Sequence, residues 1–346
     1  MTKLNQNTIN RKRDHVNFTI NKNVSFRNKT NGFEKWEFVH NALPEINFSE
    51  INCETIFFGK KLSFPLIISS MTGGYNEAEK INKALGTVAE KLKIAIGVGS
   101  QRQAIENKKY HNSFKILRDV APSIPILGNI GAAEIADLKS VEKIKIIADL
   151  ILADAFIVHL NPLQEFLQPE GNRNFKGVLN GIEKLTKDLN IPIIVKEVGA
   201  GISKSVAKKL LDVGVSIIDV AGAGGTSWAG VEILRNEEKK LNSFWDWGIP
   251  TADCVVEVSE LKNKFKEMQI IASGGVNDGV TMAKSIAIGA DYFASARSII
   301  KTFFESGEDG VEKLILQWKE EFLGAMFLTG SKNISDLNRK KIKYIG

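Results

Sequence analysis

The run Pro192-Ile193-Ile194-Val195-Lys196 decides the fold. It is continuously apolar and β-branched up to its last residue, and the run Ile217-Ile218-Asp219-Val220 within residues 215–220 has the same character. A strand with one wet face alternates apolar and polar side chains, whereas a strand covered on both faces in a parallel sheet does not. Working outward, six more short apolar runs occupy residues 65–70, 94–98, 125–129, 155–160, 269–273 and 291–295. The segments between them have helical spacing. Residues 77–92 place Ile81, Leu85, Val88, Ala89 and Leu92 on one face, and residues 203–211 open on Ser203, a residue type suited to an N-cap. Residues 141–152, 252–265 and 281–288 behave alike. Strand followed by helix, counted to eight, predicts an α/β chain folded as a TIM (β/α)8 barrel. An open doubly wound sheet is the alternative, weakened because no GxGxxG fingerprint follows the first strand.

Two regions are expected: an N-terminal extension over 1–64, with strand-like pieces at 36–39 and 55–58, and a barrel over 65–346 that ends in a helix at 311–328. With 43% hydrophobic and 25% charged residues, the chain can fill a large core and keep a charged surface. It has no run of the roughly 18 apolar residues that span a bilayer. The opening MTKLNQNTIN has no apolar signal core. Cys53 and Cys254 lie outside any CxxC pattern, so they read as small buried side chains in a reducing cytoplasm. The net charge of +6 is dispersed among acidic neighbours and lacks the basic, aromatic-studded stripe of a nucleic-acid binder. Arg11-Lys12-Arg13 is a concentrated basic cluster, either a clamp for a small anion or a plain basic tail.

A barrel of this kind carries its active site at the C-terminal ends of its strands. The residues just past each run are rich in Gly and polar groups: Ser70-Met71-Thr72-Gly73-Gly74, Gly99-Ser100-Gln101-Arg102, Asn129-Ile130-Gly131, His159-Leu160-Asn161-Pro162-Leu163-Gln164-Glu165, Lys196-Glu197, Gly224-Gly225-Thr226-Ser227-Trp228, Ser273-Gly274-Gly275 and Ala296-Arg297. The pair after strands seven and eight, Ser273-Gly274-Gly275 with Ala296-Arg297, predicts a phosphate cradle of backbone N–H groups. Lys196, ending an apolar strand, either faces an electron-rich ligand or pairs with Glu197. His159 suits a positioning role, and Gln164 offers an amide that does not titrate. Glu165 suits Mg2+, which needs few protein ligands. Glu232, one helical turn past Trp228, is either a solvated glutamate or a carboxylate whose pKa is raised beneath an aromatic lid.

These motifs resemble, over nearly the whole chain, the FMN-dependent type 2 isopentenyl-diphosphate isomerases. The most specific are Arg11-Lys12-x-x-His15, SSMTGG, GSQR, HLNPLQE followed by Pro169-Glu170-Gly171, VKEVGAGIS and AGAGGTSW. The resemblance implies interconversion of isopentenyl and dimethylallyl diphosphate by a proton shift, with reduced FMN, NADPH as reductant and Mg2+. It implies FMN contacts at Ser70, Met71, Thr72, Ser100, Asn129, Lys196, Thr226, Gly275, Val276, Asn277, Ala296 and Arg297. Substrate contacts are implied at Arg11, Lys12, His15, Ser100, Gln101, Arg102 and Gln164, with Glu165 as the Mg2+ ligand. His159, Asn161, Gln164 and Glu232 would surround the reacting carbons. The family also implies a homo-oligomer, a tetramer or octamer, and no membrane or nucleic-acid partner. Two other functions compete. An FMN-dependent α-hydroxy-acid oxidase or dehydrogenase shares the barrel but wants a His and an Arg after strand six, where the loop Ala223-Gly224-Gly225-Thr226-Ser227-Trp228 has neither. A non-catalytic anion-binding barrel would use only the basic arm.

Overall fold

The computed structural model describes residues 12, 14–136, 138–236 and 241–346. Eight parallel strands close a barrel: Leu66–Ile68, Ala95–Gly97, Ile126–Gly131, Ala155–His159, Ile193–Lys196, Ile217–Asp219, Gln269–Ser273 and Tyr292–Ser295. Each pairs with its sequence neighbour, and Tyr292–Ser295 closes the ring on Leu66–Ile68. Seven lie within the apolar runs of the sequence, and the third continues two residues past the run 125–129, to Gly131.

The period of two along each strand sorts the side chains. Ile67, Ala95, Leu127, Ala155, Ile157, Ile194, Ile217, Ile271, Tyr292 and Ala294 point inward and fill the barrel. Their neighbours Leu66, Ile68, Ile96, Ile126, Phe156, Val158, Ile193, Val195, Ile218, Ile270 and Phe293 point outward into the larger layer under the helices. Continuing the inward series by two residues puts Asn129, His159, Lys196, Asp219 and Ser273 at the C-terminal rim. The alternation that packs the barrel therefore also delivers its polar crown.

The opposite mouth is plugged. The hairpin of Thr55–Phe57 and Lys60–Leu62 inserts Phe57 and Leu62 beneath the barrel, and the Tyr292 hydroxyl donates to the Ile56 carbonyl at 2.7 Å. The strand Trp36–Phe38 pairs antiparallel with Ile342–Tyr344, which ties the segment before the barrel to the end of the chain.

The helices follow the spacing read from the sequence, with shifted ends. Ala78–Leu92 buries Ile81, Leu85, Val88 and Ala89. Lys204–Asp212 is capped as expected, the Ser203 hydroxyl accepting from the Val206 amide. The last helix starts earlier than its apolar periodicity indicates: it runs Arg297–Leu328 from the end of strand eight and is broken at Gly307, where φ is 66° and ψ −160°. No helix among the described residues is long and apolar enough to cross a membrane.

Candidate active site

One cavity of about 580 Å³ opens at the C-terminal end of the barrel and is lined from all eight strand ends. That size suits a small organic ligand or cofactor. Its walls divide into three chemical zones.

The first zone is built of glycine loops. Gly274 and Gly275 have φ of 101° and 77°, a backbone that L side chains rarely adopt. A Cβ on Gly275 would lie 2.5 Å from the Gly224 carbonyl, and one on Gly225 would lie 2.6 Å from the Gly275 amide, so the loops after strands six and seven touch backbone to backbone. The Asn31 amide fixes this contact by donating to the Gly275 carbonyl at 2.7 Å. Asn277 accepts from Ser295 at 3.1 Å and from Ser298 at 2.9 Å, coupling the turn to the helix that starts at Arg297. The first turn of that helix presents N–H groups with no intrahelical acceptor, beside Gly275 and Val276. The Arg297 guanidinium turns away: it donates to the Thr19 and Lys22 carbonyls and to the Ser25 hydroxyl. Arg297 therefore offers the cavity its backbone and gives its charged end to the N-terminal segment. Thr226 bridges to Ser25 at the same edge.

The second zone is the barrel floor. The Asn129 amide nitrogen donates to the Val98 carbonyl at 3.2 Å, which leaves its oxygen to accept from His159 Nδ1 at 2.8 Å. Nδ1 of His159 is therefore the protonated nitrogen of that contact. Lys196 pairs with His159 across the strands and is 8% exposed. Its ammonium donates to the backbone carbonyl of Glu197 at 2.6 Å. The Glu197 carboxylate meanwhile accepts the amides of Val198, Gly199 and Ala200, so the side-chain ion pair allowed by the sequence does not form. Asp219, buried beside Lys196, accepts from Ser273; burial pushes its carboxyl up, against the pull of Lys196. Ser70 and Met71 line the adjoining wall, and Ser70 Oγ is buried without a hydrogen-bond partner among the described residues. Thr72 is tethered by Asn82 at 2.5 Å.

The third zone is the mouth. Gln164 donates to Glu232 Oε1 at 3.3 Å, and His15 Nε2 lies 2.7 Å from the same oxygen. His15 packs edge-on against Trp228, with ring centroids 5.1 Å apart. Asn161 donates to Gln164 at 3.3 Å and to Glu165 at 3.0 Å, while its own side-chain oxygen is buried with no partner among the described residues. Glu165 also accepts the Asn172 amide at 2.6 Å. Lys12 reaches the carbonyls of Gly73 at 2.5 Å and Ser100 at 3.1 Å. Arg102 pairs with Glu106 at 2.9 Å and Glu134 at 3.0 Å on the rim. Among the described residues no three His, Cys, Asp or Glu side chains gather as a metal cluster.

Two readings of the sequence need correction. Gln101 does not face the cavity: it is fully buried, donating to the Ile147 carbonyl at 2.7 Å and accepting from the Asn129 amide at 3.1 Å. Both ends of its amide are used in supporting strand three, so it shapes the floor from behind. Glu232 is fully buried, yet its pKa is not raised. Burial does push the carboxyl up, but His15 and Arg235 outweigh it and hold the group below its ordinary range. Arg11, a predicted substrate contact, lies outside the described residues. Arg235, Glu134 and Asp219 were not singled out from the sequence. For Arg235 a signal existed, since it follows Glu232 by three residues on one helical face.

The chain resembles known proteins along most of its length. The model of the FMN-dependent dehydrogenase family matches residues 5–113 and 161–344. Isopentenyl-diphosphate delta-isomerase of Chlorobaculum parvum is 46% identical over 348 residues, covering 97% of each chain. The enzyme of the same name from Pseudescherichia vulneris is 45% identical over 346 residues, again covering 97% of each. Among solved structures, a mandelate oxidase variant superposes with a TM-score of 0.69 at 14% identity, covering 99% of both chains, a likeness of fold alone. With this identity sustained from end to end, the chain belongs to the type 2 isopentenyl-diphosphate delta-isomerases within the FMN-dependent dehydrogenase family.

Proposed function

We propose that the cavity binds reduced FMN and interconverts isopentenyl diphosphate and dimethylallyl diphosphate by a 1,3-allylic proton shift. One observation carries this reading: a fully buried carboxylate, Glu232, is joined to Gln164 and His15 at the mouth of a cavity whose far wall is a glycine-lined anion cradle. Such a wall takes a phosphate, and such a mouth handles protons.

The residues present fit FMN. The cradle of Gly275, Val276, Asn277, Ala296 and the Arg297 backbone receives the phosphate. The Ser70 hydroxyl, without a partner among the described residues, would with Met71, Thr72, Ser100, Asn129 and Thr226 hold the ring system. Lys196 lines the cavity floor, and its cation would stabilise negative charge on a reduced flavin. When bound, the reduced flavin supplies the acid–base centre of the isomerisation, and NADPH supplies the electrons that reduce it.

On the substrate side, Lys12 and Arg102, with Arg11, supply cations for the diphosphate. Glu165 would supply one carboxylate for Mg2+, a cation that needs few protein ligands. Gln164 faces the reacting carbons from the mouth, held by Asn161 and backed by the buried Glu232, while His159 holds the floor. Glu232, ionised at rest, accepts a proton or stabilises positive charge as it develops. The segment carrying Lys12 and His15 covers the mouth and excludes water.

An α-hydroxy-acid oxidase reading has the shared barrel in its favour, but the loop 221–228 offers neither the His base nor the Arg that such chemistry wants. Anaerobic incubation with FMN, NADPH, Mg2+ and isopentenyl diphosphate tests the proposal, with dimethylallyl diphosphate as the expected product. Its absence under reducing conditions, or flavin bleaching by lactate or glycolate, overturns it.

A further inference from the structure

We propose that Arg235 is a positioning residue that fixes the Glu232 carboxylate and clasps the N-terminal segment and the Glu170 turn around it. The inference rests on the assignment of Glu232 to proton handling made above.

A carboxylate with no solvent exposure is strongly unfavourable unless both oxygens are paired. Glu232 meets that demand unequally. Its Oε1 is shared between His15 at 2.7 Å and Gln164 at 3.3 Å, while Oε2 lies 2.5 Å from Arg235 NH1. Gln164 is neutral, and His15 carries charge only when protonated. Arg235 is cationic at every working pH. His15 and Arg235 together hold Glu232 ionised, and Arg235, whose side chain is only 12% exposed, is the part of that hold whose charge does not depend on pH.

The rest of the guanidinium points at other elements. NH2 lies 3.3 Å from Glu170 Oε1, in the turn that follows the Glu165 helix. Nε, buried without a hydrogen-bond acceptor among the described residues, is 3.9 Å from Asp14 Oδ2. NH1 is also 3.5 Å from His15 Nε2. The groups facing Glu232 are thus His15 from the helical stretch 14–21, Gln164 from the helix Pro162–Leu167 and Arg235 from its own helix. Asp14 and Glu170 face Arg235 from beyond. One planar fork spans three elements that close the mouth, a geometry that lysine cannot reproduce. A surface ion pair would be wet and nearly neutral in energy. This one is dry.

The test uses the FMN-loaded enzyme as Arg235→Gln and Arg235→Lys, with kcat and KM for isopentenyl diphosphate measured against pH, and hydrogen exchange of residues 14–21 and 165–171 as a readout independent of turnover. Removing the cation makes Glu232 protonate at higher pH, so the acid limb of kcat in R235Q is expected to move up by about 1–3 pH units. R235K keeps the charge and loses the fork. Its limb is expected to stay near that of the unsubstituted enzyme while KM rises about fivefold to tenfold. Exchange at both segments is expected to quicken in either variant. An unmoved acid limb in R235Q overturns the proposal. If R235Q does not fold or loses flavin, unchanged KM and unchanged exchange in R235K overturn it. An unsubstituted enzyme that makes no dimethylallyl diphosphate would refute the functional reading instead, and unchanged exchange would then separately refute the clasp.

Discussion

His159 Nδ1 lies 2.8 Å from Asn129 Oδ1, and that amide is itself oriented by its bond to the Val98 carbonyl. Strand three thereby sets the tautomer of a histidine on strand four. Substituting Asn129 by Leu removes the acceptor that orients Nδ1 of the imidazole. A buried donor without its acceptor loses about 1–3 kcal/mol, so kcat is expected to fall ~10- to 100-fold. Measuring kcat and FMN affinity together checks this. Unchanged kcat would mean that His159 needs no orientation by Asn129.

Much of this arrangement is legible in the sequence because one rule places both core and site. In the run Ile193-Ile194-Val195-Lys196, inward Ile194 packs the barrel and inward Lys196 enters the crown two residues later, so finding the strand finds the lysine. Gln101 shows the limit. It sits in the same polar stretch as Ser100 and Arg102, and only the path of the turn decides that its amide faces Ile147 instead of the cavity. Glu232 and Arg297 show another. Part of what surrounds each is supplied by residues more than 200 positions away, such as His15 and Thr19. The helix Val178–Asp188 escaped notice because its N-cap is a left-handed Gly177 without a side-chain cap, leaving no boundary signal.

Gly275 combines a φ of 77° with a Cβ direction blocked 2.5 Å away by the Gly224 carbonyl. Gly275→Ala must therefore open the contact between the two loops that form the phosphate cradle. Strain and clash together are expected to weaken FMN binding at least ~10-fold, while far-UV circular dichroism stays that of a folded barrel. Quenching of FMN fluorescence on titration gives the affinity. Full retention would remove this turn from the cofactor site.

Glu232 predicts an acid-side stability effect. The ordinary glutamate value is 4.5, and the folded group is held below it by His15 and Arg235 against the upward push of burial. A depressed carboxylate contributes its full stabilisation above the unfolded pKa and loses it as pH falls through the folded one. The unsubstituted chain should thus lose stability over a window that begins near 4.5 and extends downward. In Glu232→Gln that part of the acid-side slope disappears. Thermal melts across this range measure it, and parallel slopes for the two chains would contradict the assignment.

Lys12 touches the Gly73 and Ser100 carbonyls and stands 5.8 Å over the Phe114 ring, so its ammonium is pinned at the cavity edge. If it serves the diphosphate, Lys12→Ala raises KM for isopentenyl diphosphate about tenfold and leaves FMN affinity unaltered. The double replacement with Arg11 should raise KM further. An unaltered KM would assign Lys12 to loop packing alone.

Asn82 offers the last test, because it supports the site from behind without lining it. Its Nδ2 donates to the Ser113 carbonyl at 2.6 Å and to the Thr72 carbonyl at 3.3 Å, and its Oδ1 accepts from the Thr72 hydroxyl at 2.5 Å. Ser113 in turn receives the Gly74 amide at 3.0 Å, so one buried amide fixes both ends of the 72–74 loop. That loop presents Thr72 to the cavity and the Gly73 carbonyl to Lys12. Asn82→Leu strands several buried polar atoms, each unfavourable by about 1–3 kcal/mol. Thermal stability should fall, and FMN affinity and KM should worsen together as the loop relaxes. Asn82→Ala leaves room for a water to take over part of the network, so its losses should be smaller. A variant that melts early but binds flavin and substrate normally would show that the loop keeps its shape without Asn82.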